Sequence, residues 1–143
     1  MKKVNVIMLM LALVATAASG QVCTPPKPID MKAAIGKWQG NYTQNGEIKS
    51  LQIEIREVNQ KLVSYVDMPG YGLRNTSFET KVCDSQEFHM KKTDAGKLSL
   101  EFVGKTKSEN KMSGRLSIKK GDQDMVDEIF TLTKVGGEMT SAK

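Results

Sequence analysis

Hydrophobic and polar residues alternate along most of the chain between positions 36 and 135. The clearest case is the run in which Leu51, Ile53 and Ile55 are separated by Gln, Glu and Arg. A period of two places every second side chain on one face, so the pattern predicts strands with one buried face. Seven strands are predicted at positions 37–44, 47–57, 61–68, 73–82, 86–92, 111–119 and 125–135. The remaining strand runs through Leu98, Leu100 and Phe102 and ends before a turn at 108–110.

Short turn sequences separate these strands at regular intervals, and Asn45-Gly46 is the strongest hairpin signal among them. Strands that follow one another through short turns form an antiparallel meander, and closing the meander into a barrel removes its unpaired edges. We therefore predict an all-β fold, a single eight-stranded antiparallel meander closed into a barrel, preceded by a short helix. A two-sheet sandwich remains an alternative, because alternation alone does not establish closure.

The first 20 residues have the features of a secretory signal. Lys2 and Lys3 precede an apolar stretch at 4–18, and Ala18-Ser19-Gly20 supplies small residues for cleavage before Gln21. An apolar stretch of about 15 residues is shorter than the roughly 20 that a spanning helix needs. We predict an exported protein, periplasmic or secreted, with no membrane span after cleavage. A lipid anchor on Cys23 is the alternative.

The mature chain divides into three parts. Residues 21–35 form an extended, proline-rich arm followed by a short helix at 31–34, which Asp30 caps and Gly36 ends. Residues 36–135 form the barrel domain, and residues 136–143 form a flexible tail. About 120 residues suit one domain with its own core.

Composition argues against nucleic acid as a partner. The net charge is +5 with 21 Lys and Arg residues, but these are spread along the chain, and Lys predominates over Arg, which is better suited to bidentate recognition. This excess of basic residues is typical of the solvated surface of a soluble protein.

Two cysteines, Cys23 and Cys83, remain in a chain bound for an oxidising compartment. A disulfide between them is the expected state. It would close a loop of about 60 residues and stabilise the fold by about 4 kcal/mol. The alternative is two separate thiols. No metal site is predicted, since neither cysteine belongs to a CxxC pair and His89 is the only histidine.

Gly36-Lys37-Trp38, behind a short helix and ahead of a meander, resembles the opening motif of lipocalins and related calycin barrels. The resemblance implies that Trp38 closes one barrel end beside a basic residue near the last strand, for which Lys134 is the nearest candidate. The stretch from Gly36 to Lys134 also resembles the small β domain that precedes α/β-hydrolase domains in some secreted bacterial enzymes. That likeness implies a free-standing copy without the catalytic domain.

Candidate catalytic chemistry is sparse, and we predict no enzyme activity and no cofactor. His89 lies between Phe88 and Met90 on the opposite parity, which indicates an outward, solvated side chain. The chain has no Gly-x-Ser-x-Gly sequence. The carboxylates at 122–128 lack the spacing of an EF-hand and are typical of a charged hairpin tip.

Two binding modes follow from the predicted fold. The first is a small apolar ligand inside the barrel, although the same side chains would equally form a solid core. The residues predicted to line such a site are Trp38, Tyr42, Met68, Phe78, Phe88, Met90, Phe102, Met112 and Phe130. The second is a protein partner, contacted through the loop that exposes Tyr71 and Leu73. In this mode the chain itself would be, for example, an inhibitor or accessory module.

Overall fold

A computed structural model describes residues 32–83, 87–94 and 97–136. Eight antiparallel strands follow one another around a closed barrel. They are β1 (Gly36–Gln44), β2 (Glu47–Val58), β3 (Lys61–Met68), β4 (Leu73–Cys83), β5 (Glu87–Asp94), β6 (Leu98–Ser108), β7 (Lys111–Lys120) and β8 (Val126–Val135). A helical turn at residues 32–34 precedes β1, and a 3-10 turn, Pro69–Tyr71, connects β3 to β4. The predicted signal, Cys23 and the tail beyond Gly136 lie outside the described residues.

Closure depends on the pairing of the first strand with the last. Trp38 in β1 pairs with Ile53 in β2 on one side and with Lys134 in β8 on the other. Both edges of β1 are therefore hydrogen-bonded, which confirms the barrel and excludes the sandwich. Among the described residues, no helix is long and apolar enough to cross a membrane.

The inward face of the barrel follows the alternation in the sequence. Leu51, Ile53 and Ile55 are almost completely buried, while the polar residues between them are exposed or half-buried. The nine residues predicted to line the interior are all buried as well. The predicted inward orientation of these side chains is therefore confirmed.

The hairpin turns have the backbone that their sequences predict. Asn45 and Gly46 both have positive φ, 52° and 79°, as a two-residue type I′ turn requires. Asn59 and Gln60 also have positive φ, 51° and 63°. The mouth of the barrel is defined here as the end that carries the 45–46 turn and the 3-10 turn, and the base as the end that carries the 59–60 turn.

Candidate binding site at the mouth of the barrel

The base of the barrel is closed by Trp38. Its indole Nε1 donates a 2.9 Å hydrogen bond to the carbonyl of Ala34, and both residues are completely buried. Lys134 places its ammonium 5.4 Å from the centre of the indole ring and donates a 2.9 Å hydrogen bond to the carbonyl of Ala33. The helical turn, β1 and β8 therefore meet at one point. The residues that carry the resemblance to lipocalins have the arrangement it implied.

Aromatic rings fill the middle of the barrel. The centroid of the Phe102 ring lies 5.7 Å from that of Phe78 and 5.5 Å from that of Phe130, both in edge-to-face geometry. These three residues belong to β4, β6 and β8, so their rings form a chain of contacts across the interior. Edge-to-face pairs at such distances are favourable. This arrangement favours the solid core over a deep cavity.

Two glycines make room for this packing. Gly104 and Gly114 are directly paired between β6 and β7. A Cβ on Gly104 would lie 2.7 Å from Cζ of Phe130, and a Cβ on Gly114 would lie 2.1 Å from the carbonyl oxygen of Val103. The glycines are therefore required by close approach, the first to a ring and the second to the neighbouring backbone.

The mouth contains a cleft of about 180 Å³. Tyr71, Ile118 and Val126 supply its apolar surface, and Lys120, Asp124 and Glu128 supply charges. Ile118 and Lys120 end β7, while Val126 and Glu128 begin β8. The cleft is therefore built mainly from the β7–β8 hairpin and the 3-10 turn that faces it.

Tyr71 is held between two other side chains. Its ring centroid lies 6.1 Å from that of Tyr42, and the ammonium of Lys120 lies 4.8 Å from it. Burial raises the pKa of Tyr42, and the neighbouring Tyr71 raises it further. Burial also raises the pKa of Tyr71, with a smaller contribution from the charge of Glu128. Both phenols are therefore neutral at physiological pH, and the Tyr42 hydroxyl donates a 3.3 Å hydrogen bond to Gln44 Oε1.

The prediction that Tyr71 and Leu73 are exposed together is corrected by this packing. Both are half-buried and pack against the hydrophobic core. The reason is the close approach of the 3-10 turn to β1, where a Cβ on Gly70 would lie 2.3 Å from the Tyr42 hydroxyl. A side chain at position 70 would force the Tyr42 hydroxyl to shift, and glycine avoids this clash.

Glu128 has a fixed orientation at the rim of the mouth. Its carboxylate accepts a 2.6 Å hydrogen bond from the Thr43 hydroxyl and a 3.2 Å hydrogen bond from the backbone N–H of Asn45. The sequence analysis treated Glu128 only as part of a charged hairpin tip. Glu128 lies two residues before the inward-facing Phe130 and so shares its parity. This parity was the sequence signal that could have placed the Glu128 side chain at the mouth.

Exposed apolar side chains surround the same end of the barrel. Ile48 is 74% exposed, Ile129 is 68% exposed and Met125 is 60% exposed. Ile48 pairs with Thr43, and the backbone N–H of Ile129 donates to the Thr43 hydroxyl at 3.3 Å. The two isoleucines therefore flank Thr43 on the outer wall, beside the rim.

A second group of reactive side chains lies at the base, where β4 meets β5. Ligand atoms of Cys83, Glu87 and His89 lie within 4.8 Å of one another. His89 points outward as predicted, but it is half-buried and its Nε2 lies 2.7 Å from Glu87 Oε1. This hydrogen bond is the main reason that the pKa of Glu87 is lowered. Strand pairing produces the grouping, which sequence spacing alone did not reveal.

The chemistry of that group depends on the state of Cys83. A zinc site or a thiol nucleophile would need the thiolate, whereas the sequence predicts that Cys83 forms a disulfide with Cys23. Lys105 also places its ammonium 3.5 Å from the Glu87 carboxylate, where it would oppose a divalent cation. The mouth is therefore the stronger candidate for function.

Comparison with protein families and with curated proteins finds no match for this chain.

Proposed function

We propose that this chain is an exported, non-enzymatic binding protein that holds a small ligand with an apolar portion at the mouth of the barrel. The observation that carries the proposal is the cleft at the mouth of the barrel, which lies above a filled interior. The cleft has a volume of about 180 Å³ and has apolar and charged walls, while Trp38 is completely buried at the opposite end. The secretion signal predicted from the sequence supports the exported state.

The cleft suits an amphipathic molecule better than a purely apolar one. Tyr71, Ile118 and Val126 offer apolar contact, while Lys120 and Glu128 offer opposite charges. The cleft is smaller than the roughly 300 Å³ at which pockets for drug-sized ligands begin. A compact ligand, or one end of a longer one, fits this volume, and the chain of phenylalanine rings below it limits deeper entry.

The test begins with native mass spectrometry of the mature protein, purified after export in a bacterial host, to detect a small molecule that copurifies. Titration with an amphipathic fluorescent probe, 8-anilinonaphthalene-1-sulfonate, then locates the site. We expect Val126→Asp to abolish probe binding at the mouth. Val58→Asp is the matched control, because Val58 is also an exposed valine but lies at the base. Equal binding by wild type and both variants would contradict the proposal.

A protein partner is the second candidate function, and the exposed apolar side chains beside the rim favour it. Ile48 is 74% exposed and Ile129 is 68% exposed, and both lie beside Thr43. Contiguous exposed apolar surface marks interaction sites. The test is crosslinking in the exporting host with a photoreactive residue at position 129. A crosslinked protein that disappears in Ile48→Ser would support this function, and the absence of any crosslink would reject it.

A further inference from the structure

A polar cleft of about 210 Å³ lies on the outer wall of the barrel, over β1, β2 and β3. It is separate from the mouth, since no residue lines both clefts. We propose that this outer cleft binds a neutral saccharide. The inference does not depend on the function proposed for the mouth.

The floor of the outer cleft contains side-chain amide groups that form no hydrogen bond with another described side chain. Gln39 and Gln52 are directly paired across β1 and β2, and Gln52 is paired with Asp67 in β3. All three side chains therefore project from the outer face in one row. The amides of Gln39 and Gln52 form no hydrogen bond with another described side chain. An amide supplies both donors and an acceptor, which suits sugar hydroxyls that donate and accept together.

One wall of the outer cleft is the ring of Tyr65, which is contacted by a guanidinium that lies outside the cleft. The guanidinium of Arg56 lies 5.0 Å from the centre of the Tyr65 ring. Glu54 fixes this guanidinium through two hydrogen bonds of 2.8 and 2.7 Å. Tyr65 lines the cleft and Arg56 does not, so Arg56 supports the ring from outside the cleft. A fixed aromatic face is suited to stacking against the C–H face of a sugar ring.

The opposite rim of the outer cleft is fixed by a hydrogen bond from a backbone N–H to a side-chain carboxylate. The backbone N–H of Asn75 donates a 2.6 Å hydrogen bond to Asp67 Oδ1. Asn75 has a φ of 44°, in the left-handed region that asparagine tolerates better than most residues. This conformation holds Asn75 at the edge of the cleft, where it adds another side-chain amide. Both sides of the site are thus arranged before any ligand arrives.

The charges around the cleft favour a neutral ligand over an acidic one. Lys37 is the only basic residue in the lining, and Glu54 and Asp67 contribute carboxylates. Because Arg56 already pairs with Glu54, the cleft has no excess positive charge for a sulfate or uronate group. Its volume suits a single sugar ring, and its open position on the wall leaves room for a longer chain.

The test is a titration of the mature, isotope-labelled protein with cellohexaose, xylohexaose, maltohexaose and hexa-N-acetylchitohexaose, followed by two-dimensional NMR. We expect at least one of these probes to shift the side-chain amide signals of Gln39, Gln52 and Asn75. Tyr65→Ala should weaken the affinity about tenfold, the loss expected for one ring contact. Tyr65→Phe keeps the ring and should retain most of the binding.

Two further variants keep the result interpretable. Gln52→Ala removes a floor amide without touching the ring and should also weaken binding. Lys91→Ala, on the wall formed by β5, is the control and should bind as the wild type does. The proposal is overturned if no probe shifts the cleft signals, if the shifts map to the mouth instead, or if Tyr65→Ala binds as tightly as Lys91→Ala.

Discussion

Lys134 lies over the ring of Trp38 with its ammonium 5.4 Å from the ring centre, and the same ammonium binds the carbonyl of Ala33. The strand that closes the barrel thus also fixes the helical turn that precedes the first strand. One lysine links three parts of the chain that are far apart in sequence. The energetics of this contact lead to the first prediction.

Trp38→Ala should lower the free energy of unfolding by about 3–5 kcal/mol, because it removes a completely buried ring. Lys134→Met keeps much of the aliphatic stem but removes the charge, and should cost about 0.5–1 kcal/mol. Urea unfolding followed by far-ultraviolet circular dichroism measures both. A loss below about 1 kcal/mol for Trp38→Ala would show that the ring does not close the base.

Phe102→Ala tests whether the interior is solid. Phe102 contacts both Phe78 and Phe130, so its removal should cost about 3–5 kcal/mol and leave an apolar cavity. Such a cavity binds benzene or xenon, so the variant, but not the wild type, should gain thermal stability under xenon pressure. Equal stabilisation of the wild type would indicate that the barrel is already hollow.

Gly114→Ala should destabilise the protein by about 1–3 kcal/mol through overpacking. The added Cβ would lie 2.1 Å from the Val103 oxygen and 2.5 Å from the Gly104 Cα, and backbone atoms cannot move aside cheaply. Ser113→Ala, at the preceding position in β7, is the control and should change stability little. Differential scanning calorimetry on the two variants gives the comparison, and equal melting temperatures would refute the close approach.

Glu87 should make stability depend on pH in the acid range. Its pKa in the folded protein is lowered from 4.5, mainly by the hydrogen bond with His89. A lowered pKa gives stability that is present above the unfolded value and lost as the pH falls through the folded value. Unfolding curves between pH 6 and about 2 should therefore show a smaller loss of stability in Glu87→Gln than in the wild type. The same loss in both proteins would remove Glu87 from the acid response.

The predicted disulfide has a direct test. If Cys23 and Cys83 are joined, reduction should lower the free energy of unfolding by about 4 kcal/mol, and thiol titration of the unreduced, unfolded protein should find no reactive sulfur. Two titratable thiols before reduction, with an unchanged melting temperature afterwards, would contradict the bond. Cys83 would then carry a thiol that could act together with Glu87 and His89.

The parts of the fold that depend on local pattern were predictable from the sequence. Side-chain parity is set by the period of two, so Phe88 and Met90 could be placed inward and His89 outward without any knowledge of the partner strands. Asn45-Gly46 likewise specifies its own turn.

The parts that depend on distant pairing were not predictable in the same way. The Cys83, Glu87 and His89 group forms because two strands pair in one register, and the mouth cleft forms because β8 reaches the 3-10 turn. The half-burial of Tyr71 depends on the contact between Gly70 and Tyr42, which the turn sequence does not encode. Residues at strand ends therefore need the closed barrel before their roles can be assigned.

If the chain is exported as its sequence predicts, and is threaded through a membrane from its N-terminus, the pairing of β1 with β8 also sets an order of events. β1 could not complete its hydrogen bonds until Phe130 and Lys134 had crossed, so the barrel would stay open during nearly all of such a passage. This topology would therefore be compatible with a translocation channel that accepts only unfolded chains. The contacts of Lys134 with Trp38 and Ala33 need β8, so a chain arrested anywhere before β8 could not close the barrel.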